Sequence, residues 1–224
     1  MIQASNQRME LVRRQVSVST CKPSIGRRGN ISGKLKERAA IVKKAQKSSP
    51  TVFTVGHSTR TLESFIDLLK ENSVKKVVDI RTIPRSRHNP QFNRETLPDH
   101  LKASKIGYVH VAGLGGLRHT CQDSLNIGWR NSSFRGFADY MQTEEIGKSL
   151  EKLIQLADRQ QVALMCAEAV PWRCHRSLVA DALKLRGINV EHIMNSKKRQ
   201  PHEITPWARV DGTQITYPPP EEST

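Results

Sequence analysis

Between residues 51 and 193, five short β-branched or apolar runs alternate with stretches whose apolar residues recur at helical spacing. A period of two and a period of 3.6 place side chains on different faces, so one segment cannot serve as the other. Their alternation leaves few architectures open, and the simplest is a parallel sheet covered by helices on both sides. The runs are TVFTV (51–55), VKKVVDI (74–80), GYVHVA (107–112), VALMC (162–166) and residues 188–193. The expected fold class is α/β, a three-layer sandwich with a mostly parallel sheet of about five strands. VALMC is apolar throughout, as a strand covered on both faces should be.

The helices carry their own boundaries. Thr61 caps a helix whose apolar positions are Leu62, Phe65, Ile66 and Leu69. Residues 94–105 form a weaker helix, because Pro98 lies inside it. Residues 134–160 read as helix in two pieces meeting near Gly147, with Leu150, Leu153, Ile154 and Ala157 as the stripe. The last helix, 175–186, buries Leu178, Val179, Ala182 and Leu183 and is closed by Gly187. Residues 81–93 and 113–133 lack periodicity and read as long loops, which in a compact domain are commonly functional or disordered.

Charge divides the chain. The net charge is +15, and residues 1–50 contribute most of it, with Glu10 and Glu37 as their only acids. Such a basic segment with few apolar residues favours disorder over packing. The expected organisation is a disordered basic arm over 1–49, the α/β domain over 50–195, and a C-terminal tail over 196–224 partly packed on it. The arm fits an organellar targeting segment, a binding arm or a start assigned too far upstream equally well. No apolar run approaches the ~20 residues of a membrane helix. Cys21, Cys121, Cys166 and Cys174 suggest no disulfide framework. The expected setting is cytoplasmic, with reduced thiols and no membrane partner.

Open parallel sheets bind ligands beyond the carboxyl ends of their strands. His57 and Arg60 follow the first strand; Asp79, Arg81, Arg85 and Arg87 follow the second; Gly115 and Gly116 follow the third. Cys166 ends the fourth, followed by Glu168, Arg173, Cys174, His175 and Arg176. A helix start offers unpaired N–H groups and partial positive charge, which hold anions and acidify thiols. Strand–Cys–loop–Arg–helix is also the geometry of thiol phosphatases and sulfurtransferases. Those phosphatases place five residues between Cys and Arg, whereas Cys166 and Arg173 enclose six. The catalytic candidates are Cys174, Cys166, Glu168 and His57. The ligand-binding candidates are Arg60, Asp79, Arg81, Arg87, Arg173, His175 and Arg176. Flanked by Arg173 and Arg176, Cys174 is expected to be the more acidic thiol, with Cys166 raised by its apolar strand.

Each candidate has a plainer account beside it. Cys166 in an apolar strand is a natural core thiol. Asp79 with Arg81 makes a buried structural pair. Gly115 and Gly116 make a turn, and they match neither a Walker loop nor a dinucleotide fingerprint. Cys166, Cys174 and His175 lack the spacing of a zinc finger or ribbon, so no metal and no cofactor is expected.

MCAEAVPWRCHRSLVADAL (165–183), VGHSTRTLESFIDLL (from 55), VVDIRTIPRSRHNPQFN (from 77), GLGGLR (from 113) and FRGFADYM (from 134) resemble the signatures of domain-of-unknown-function family 488. They stand in family order and span about residues 51–193. The resemblance implies an α/β fold and supplies no reaction. From the site itself, the expected function is a small-molecule enzyme or binder acting on an anionic, phosphate- or nucleotide-bearing ligand, with a site cysteine taking part. The alternative is a nucleic-acid-binding or nucleic-acid-modifying protein, suggested by the basic arm and by Lys197, Lys198 and Arg199. Against that alternative, aromatic residues are only 5% of the chain, which makes a base-stacking platform hard to build.

Overall fold

The computed structural model describes residues 49–219. All but the last residue of the expected basic arm lie outside that range. Five strands are parallel: β1 (Thr51–Gly56), β2 (Lys76–Asp79), β3 (Gly107–His110), β4 (Val162–Cys166) and β5 (Asn189–Asn195). A sixth, β6 (Lys198–Pro201), pairs antiparallel with β5, and the sheet order is β3-β2-β4-β1-β5-β6. The sequence offered no sign of β6, which is exposed throughout and shows no alternation. Lys198, Arg199 and Pro201 are residues suited to a sheet edge, since they discourage further pairing.

The helices divide by the direction of the crossovers they serve. From β1 to β2 and from β2 to β3 the chain moves toward one edge, through α1 (Leu62–Glu71) and α2 (Leu97–Ala103). From β3 to β4 and from β4 to β5 it moves back, through α3 (Ser132–Tyr140), α4 (Glu144–Ala157) and α5 (Arg176–Lys184). Crossovers of one hand then put the two groups of helices on opposite faces. The cores confirm this division. Phe53, Val55, Val77, Ala163 and Met165 pack with Phe65, Leu69, Leu97 and Leu101 on one side. Val52, Val78, Val162, Leu164 and Cys166 pack with Phe137, Leu150, Leu153, Leu178 and Leu183 on the other. Alternate residues of each strand thus serve opposite layers.

This topology fixes where a site can form. β4 lies between β2 and β1, whose connections leave toward the α1/α2 face, while its own leaves toward the α3–α5 face. Loops that part in opposite directions open a crevice at the carboxyl edge. Cys166 is the last residue of β4, and so stands at the floor of that crevice.

Local signals explain most boundaries. Thr61 caps α1 by accepting a hydrogen bond from Ser64 N at 3.2 Å, and Gly187, at φ +74°, follows α5. Pro98 falls in the first turn of α2, where its missing N–H costs nothing, so the helix starts at Leu97 and not at 94. The long helical region breaks at 141–143, not at Gly147, which lies inside α4. Asn131 caps α3. The long loop before α3 is ordered by Asp139, which accepts from Cys121 N at 2.8 Å, Ser124 Oγ at 2.6 Å and Asn126 Nδ2 at 2.7 Å.

The C-terminal segment packs back on the domain. A hairpin of β7 (Arg209–Asp211) and β8 (Gln214–Thr216) delivers Ile215 and Tyr217 into the core. Buried Asp181 of α5 accepts from Tyr217 Oη at 2.8 Å, Thr205 Oγ1 at 2.8 Å and His202 Nε2 at 2.8 Å. Among the described residues, no helix is long and apolar enough to cross a membrane.

Candidate active site

The crevice holds a cleft of about 470 Å³, lined by His57 after β1, Arg81 and Arg85 after β2, Gly116 after β3, and Cys166, Glu168, Arg173, Cys174 and His175 after β4. Cys166, Cys174 and His175 form its centre: their two Sγ atoms and a ring nitrogen lie within 4.8 Å of one another. His175 is oriented by backbone, since Nε2 donates to Leu114 O at 3.0 Å and Ile80 O at 3.2 Å. The other nitrogen, Nδ1, thereby faces Cys174 Sγ at 3.7 Å. The chain after β3 can approach this ring only because residue 116 is glycine, since a Cβ there would collide with His175 Nδ1.

Two thiols this close and this buried do not both ionise. The contacts favour the thiolate on Cys166, the opposite of the order expected from sequence. Cys166 is held well below the ordinary thiol range because Cys174 donates to it, and His175 and the N–H of Glu168 add to the effect against the cost of burial. Cys174 is pushed well above that range by the neighbouring Cys166 sulfur and by its own burial. The helix start that should have acidified Cys174 matters less than the sulfur beside it.

The arginines separate into three roles. Arg81 is 6% exposed and tied to Asp79 through Nε–Oδ1 at 2.9 Å and Nη2–Oδ2 at 2.6 Å. It also donates to Phe92 O at 2.7 Å and to His57 Nε2 at 3.3 Å. Arg176 is 1% exposed, and its guanidinium donates to the carbonyls of Glu168 and Ala169, so it pins the loop from beneath. Arg173 is exposed at the cleft, with no side-chain hydrogen bond or ion pair among the described residues. Arg85 also lines the cleft and pairs with Glu95 at 2.7 Å on the surface.

Several sequence candidates therefore fall elsewhere than expected. Asp79 is fully buried and occupied by Arg81 and by Tyr108 Oη at 2.7 Å, so it faces no ligand. Arg176 lies under the loop and outside the cleft lining. Arg60 donates to Met194 O at 3.0 Å, and Arg87 is exposed; neither lines the cleft. His57 lines it, but both ring nitrogens are engaged: Nδ1 donates to Ser58 O at 2.9 Å and Nε2 accepts from Arg81. Its ring stacks on Phe92 at 4.3 Å. Burial, with Arg81 nearby, pulls its pKa down, so it orients Arg81 as a neutral ring. Cys166, Glu168, Arg173, Cys174 and His175 are brought together. The lining contributed by Thr82, Asn131 and Phe134 was not anticipated. The one available signal was Gly115 and Gly116, whose missing side chains admit Thr82 and the His175 ring.

Cys166, Cys174 and His175 are also the residues that would hold a soft metal ion. The His175 Nε2–H bonds to backbone carbonyls are the kind that orient a metal-bound imidazole. The cluster offers three donors among the described residues, one fewer than a closed structural zinc site uses.

The fold and the motifs define an α/β protein with a thiol–imidazole centre at the carboxyl edge of its sheet. The chain belongs to the DUF488 family, described as a domain of unknown function, whose model matches residues 61–183. No curated protein and no solved structure matches it.

Proposed function

We propose that this protein is a thiol-dependent enzyme acting on an anionic small molecule, with Cys166 as the nucleophile. The observation that carries this is the cluster of Cys166, Cys174 and His175 at the floor of the cleft, whose contacts favour a thiolate on Cys166, beside Arg173, which has no side-chain partner among the described residues. A thiolate is the reactive form of cysteine, and a fixed cation beside it attracts an anionic electrophile. Cys174 stays protonated and donates to the Cys166 sulfur, while His175 Nδ1 is placed to exchange a proton with the pair. Glu168, exposed at the rim, serves as the acid–base group for a leaving group or an incoming water. Arg81, its charge balanced by Asp79, acts as a rigid wall of the site, because its own hydrogen bonds hold it in place.

The test compares an anionic with a neutral alkylating reagent. Iodoacetate and iodoacetamide are applied to the folded chain, and adducts at Cys166 and at exposed Cys121 are counted by peptide mass spectrometry. The iodoacetate-to-iodoacetamide rate ratio is expected to be about tenfold higher at Cys166 than at Cys121, through local attraction of the anion. Arg173→Ala should remove most of that excess and leave the iodoacetamide rate nearly unchanged. Equal ratios at the two cysteines would end the anionic-substrate reading. Stoichiometric zinc in the purified protein, with Cys166 alkylated only after chelation, would replace the nucleophile with a metal centre.

A further inference from the structure

The thiol cleft opens sideways into a groove. A second hollow of about 310 Å³ shares Asn131, Phe134, Glu168 and Arg173 with it and adds Trp129 and Trp172. A third, of about 290 Å³, contains both of these tryptophans and adds Trp207. All 3 tryptophans of the chain thus line one path leading away from Cys166. A low aromatic content overall had argued against a stacking surface, yet the residues that matter are concentrated in one place.

The two sides of the path differ. Trp129 belongs to a fixed wall, packed on Phe134 at 4.8 Å, Trp207 at 5.1 Å and Tyr217 at 5.6 Å between ring centroids. Its Nε1–H is buried with no acceptor among the described residues. Trp172 is 58% exposed, on the turn Pro171–Arg173 that leads directly into Cys174. An indole that large left in water beside a reactive centre is suited to cover a planar ring. Arg173, the next residue, is exposed at the junction of groove and cleft with no side-chain partner among the described residues. At the far end the lining is polar as well as aromatic, with Ser177, Gln200 and Glu203. Ser177 Oγ is already bonded to Cys174 O, but Gln200 and Glu203 are exposed, and a heterocycle with edge donors and acceptors replaces the water on them, which a purely apolar ring does not.

We propose that the groove binds the base of a nucleotide unit, stacked on Trp172, with its phosphate on Arg173 at the mouth of the thiol cleft. The proposal rests on the anionic-substrate reading of that cleft and narrows its substrate class. The same chemistry is offered by a free nucleotide and by the end of a single strand.

The experiment measures binding of ribose 5-phosphate and of the adenosine, guanosine, cytidine and uridine 5′-monophosphates to the full chain. Tryptophan fluorescence and protection of Cys166 from iodoacetamide are the readouts. At least one nucleotide should bind about tenfold or more tightly than ribose 5-phosphate, the increment expected of base stacking on one aromatic side chain. Trp172→Ala should erase that advantage and leave ribose 5-phosphate binding unchanged, and Trp172→Phe should restore part of it. A short single-stranded oligonucleotide that binds more tightly than its mononucleotide assigns the unit to a strand; otherwise the free nucleotide is the ligand. If ribose 5-phosphate binds and no nucleotide does better, the groove proposal fails while the anionic cleft stands. If nothing with a phosphate binds or protects Cys166, the cleft reading fails and the groove proposal falls with it.

Discussion

Gly116 shows how one missing side chain shapes the chemistry of another residue. Its Cα approaches the His175 ring so closely that no Cβ fits, and that ring is one of the groups acidifying Cys166. Gly116→Ala should therefore push His175 away from the sulfurs with little effect on the sheet beneath. Loss of about one pKa unit of acidification corresponds to a roughly tenfold smaller thiolate fraction well below the pKa. The expected outcome is a pH profile of Cys166 alkylation displaced upward by about one unit, with the rate lower by about that factor only on the acidic limb, and cooperative unfolding preserved. Stopped-flow alkylation and a thermal melt check the two halves. At this scale the identities of Cys166, Cys174 and His175 were legible from their places after strand four. Their order of acidity was not, because it depends on a sulfur–sulfur contact across the loop.

The loop between β4 and α5 depends on Arg176. With Arg176 buried and its guanidinium on the carbonyls of Glu168 and Ala169, the chain is held in the turn that brings Cys174 back to Cys166. Gly56 lets this happen, since a Cβ on it would overlap the Glu168 carbonyl. Arg176→Met keeps an unbranched stem and removes the donors. Hydrogen bonds from a charged donor contribute about 1.5–3 kcal/mol each. Because Glu168 and Ala169 are themselves exposed, water compensates part of the loss, and about 2 kcal/mol of destabilisation is expected in urea unfolding. Cys166 and Cys174 should then lose their unequal reactivity. From sequence, Arg176 looked like a ligand for substrate; only its burial reveals a loop anchor. The five parallel strands and their helices were legible, because pleat and helical period are local, whereas β6 to β8 were not. The break at 141–143 was not, since it follows from contacts such as Gln142 Nε2 to Ile215 O at 2.7 Å, far away in sequence.

On the scale of the whole molecule, the C-terminal segment is fastened to the sheet by a buried chain of polar groups. Thr54 Oγ1 donates to His192 Nδ1 at 2.7 Å, His192 Nε2 to His202 Nδ1 at 3.0 Å, and His202 Nε2 to Asp181 at 2.8 Å. That directionality requires a neutral His192, and burial, with His202 and Arg176 nearby, pushes its pKa down to about 3. The unfolded value is about 6.5, so between these two values the unfolded chain binds a proton that the fold refuses. Stability from this group is complete above about pH 6.5 and is lost on acidification toward 3, at up to about 1.4 kcal/mol per pH unit. Urea unfolding from pH 7 to pH 5 should show the decline, and His192→Gln should reduce its slope while lowering stability at pH 7. His57, also pulled down by burial, contributes in the same direction. Asp181→Ala should make residues after 201 a new site of limited proteolysis, because Tyr217, Thr205 and His202 lose their common acceptor. Partial packing of the tail was expected from sequence, but the residues that carry it were not readable in a polar, proline-containing segment, where single residues and not a period carry the packing.

The central claim is that the fold concentrates one negative charge on Cys166 and withholds it from Cys174. The most direct measurement is the alkylation rate of each cysteine in the folded full-length chain, followed by peptide mass spectrometry across about pH 5 to 9. The account predicts that Cys166 reacts with an apparent pKa well below the ordinary ~8.5, and that Cys174 remains unlabelled until Cys166 is blocked or the protein is unfolded. Preferential labelling of Cys174, or inertness of both thiols until denaturation, would contradict it.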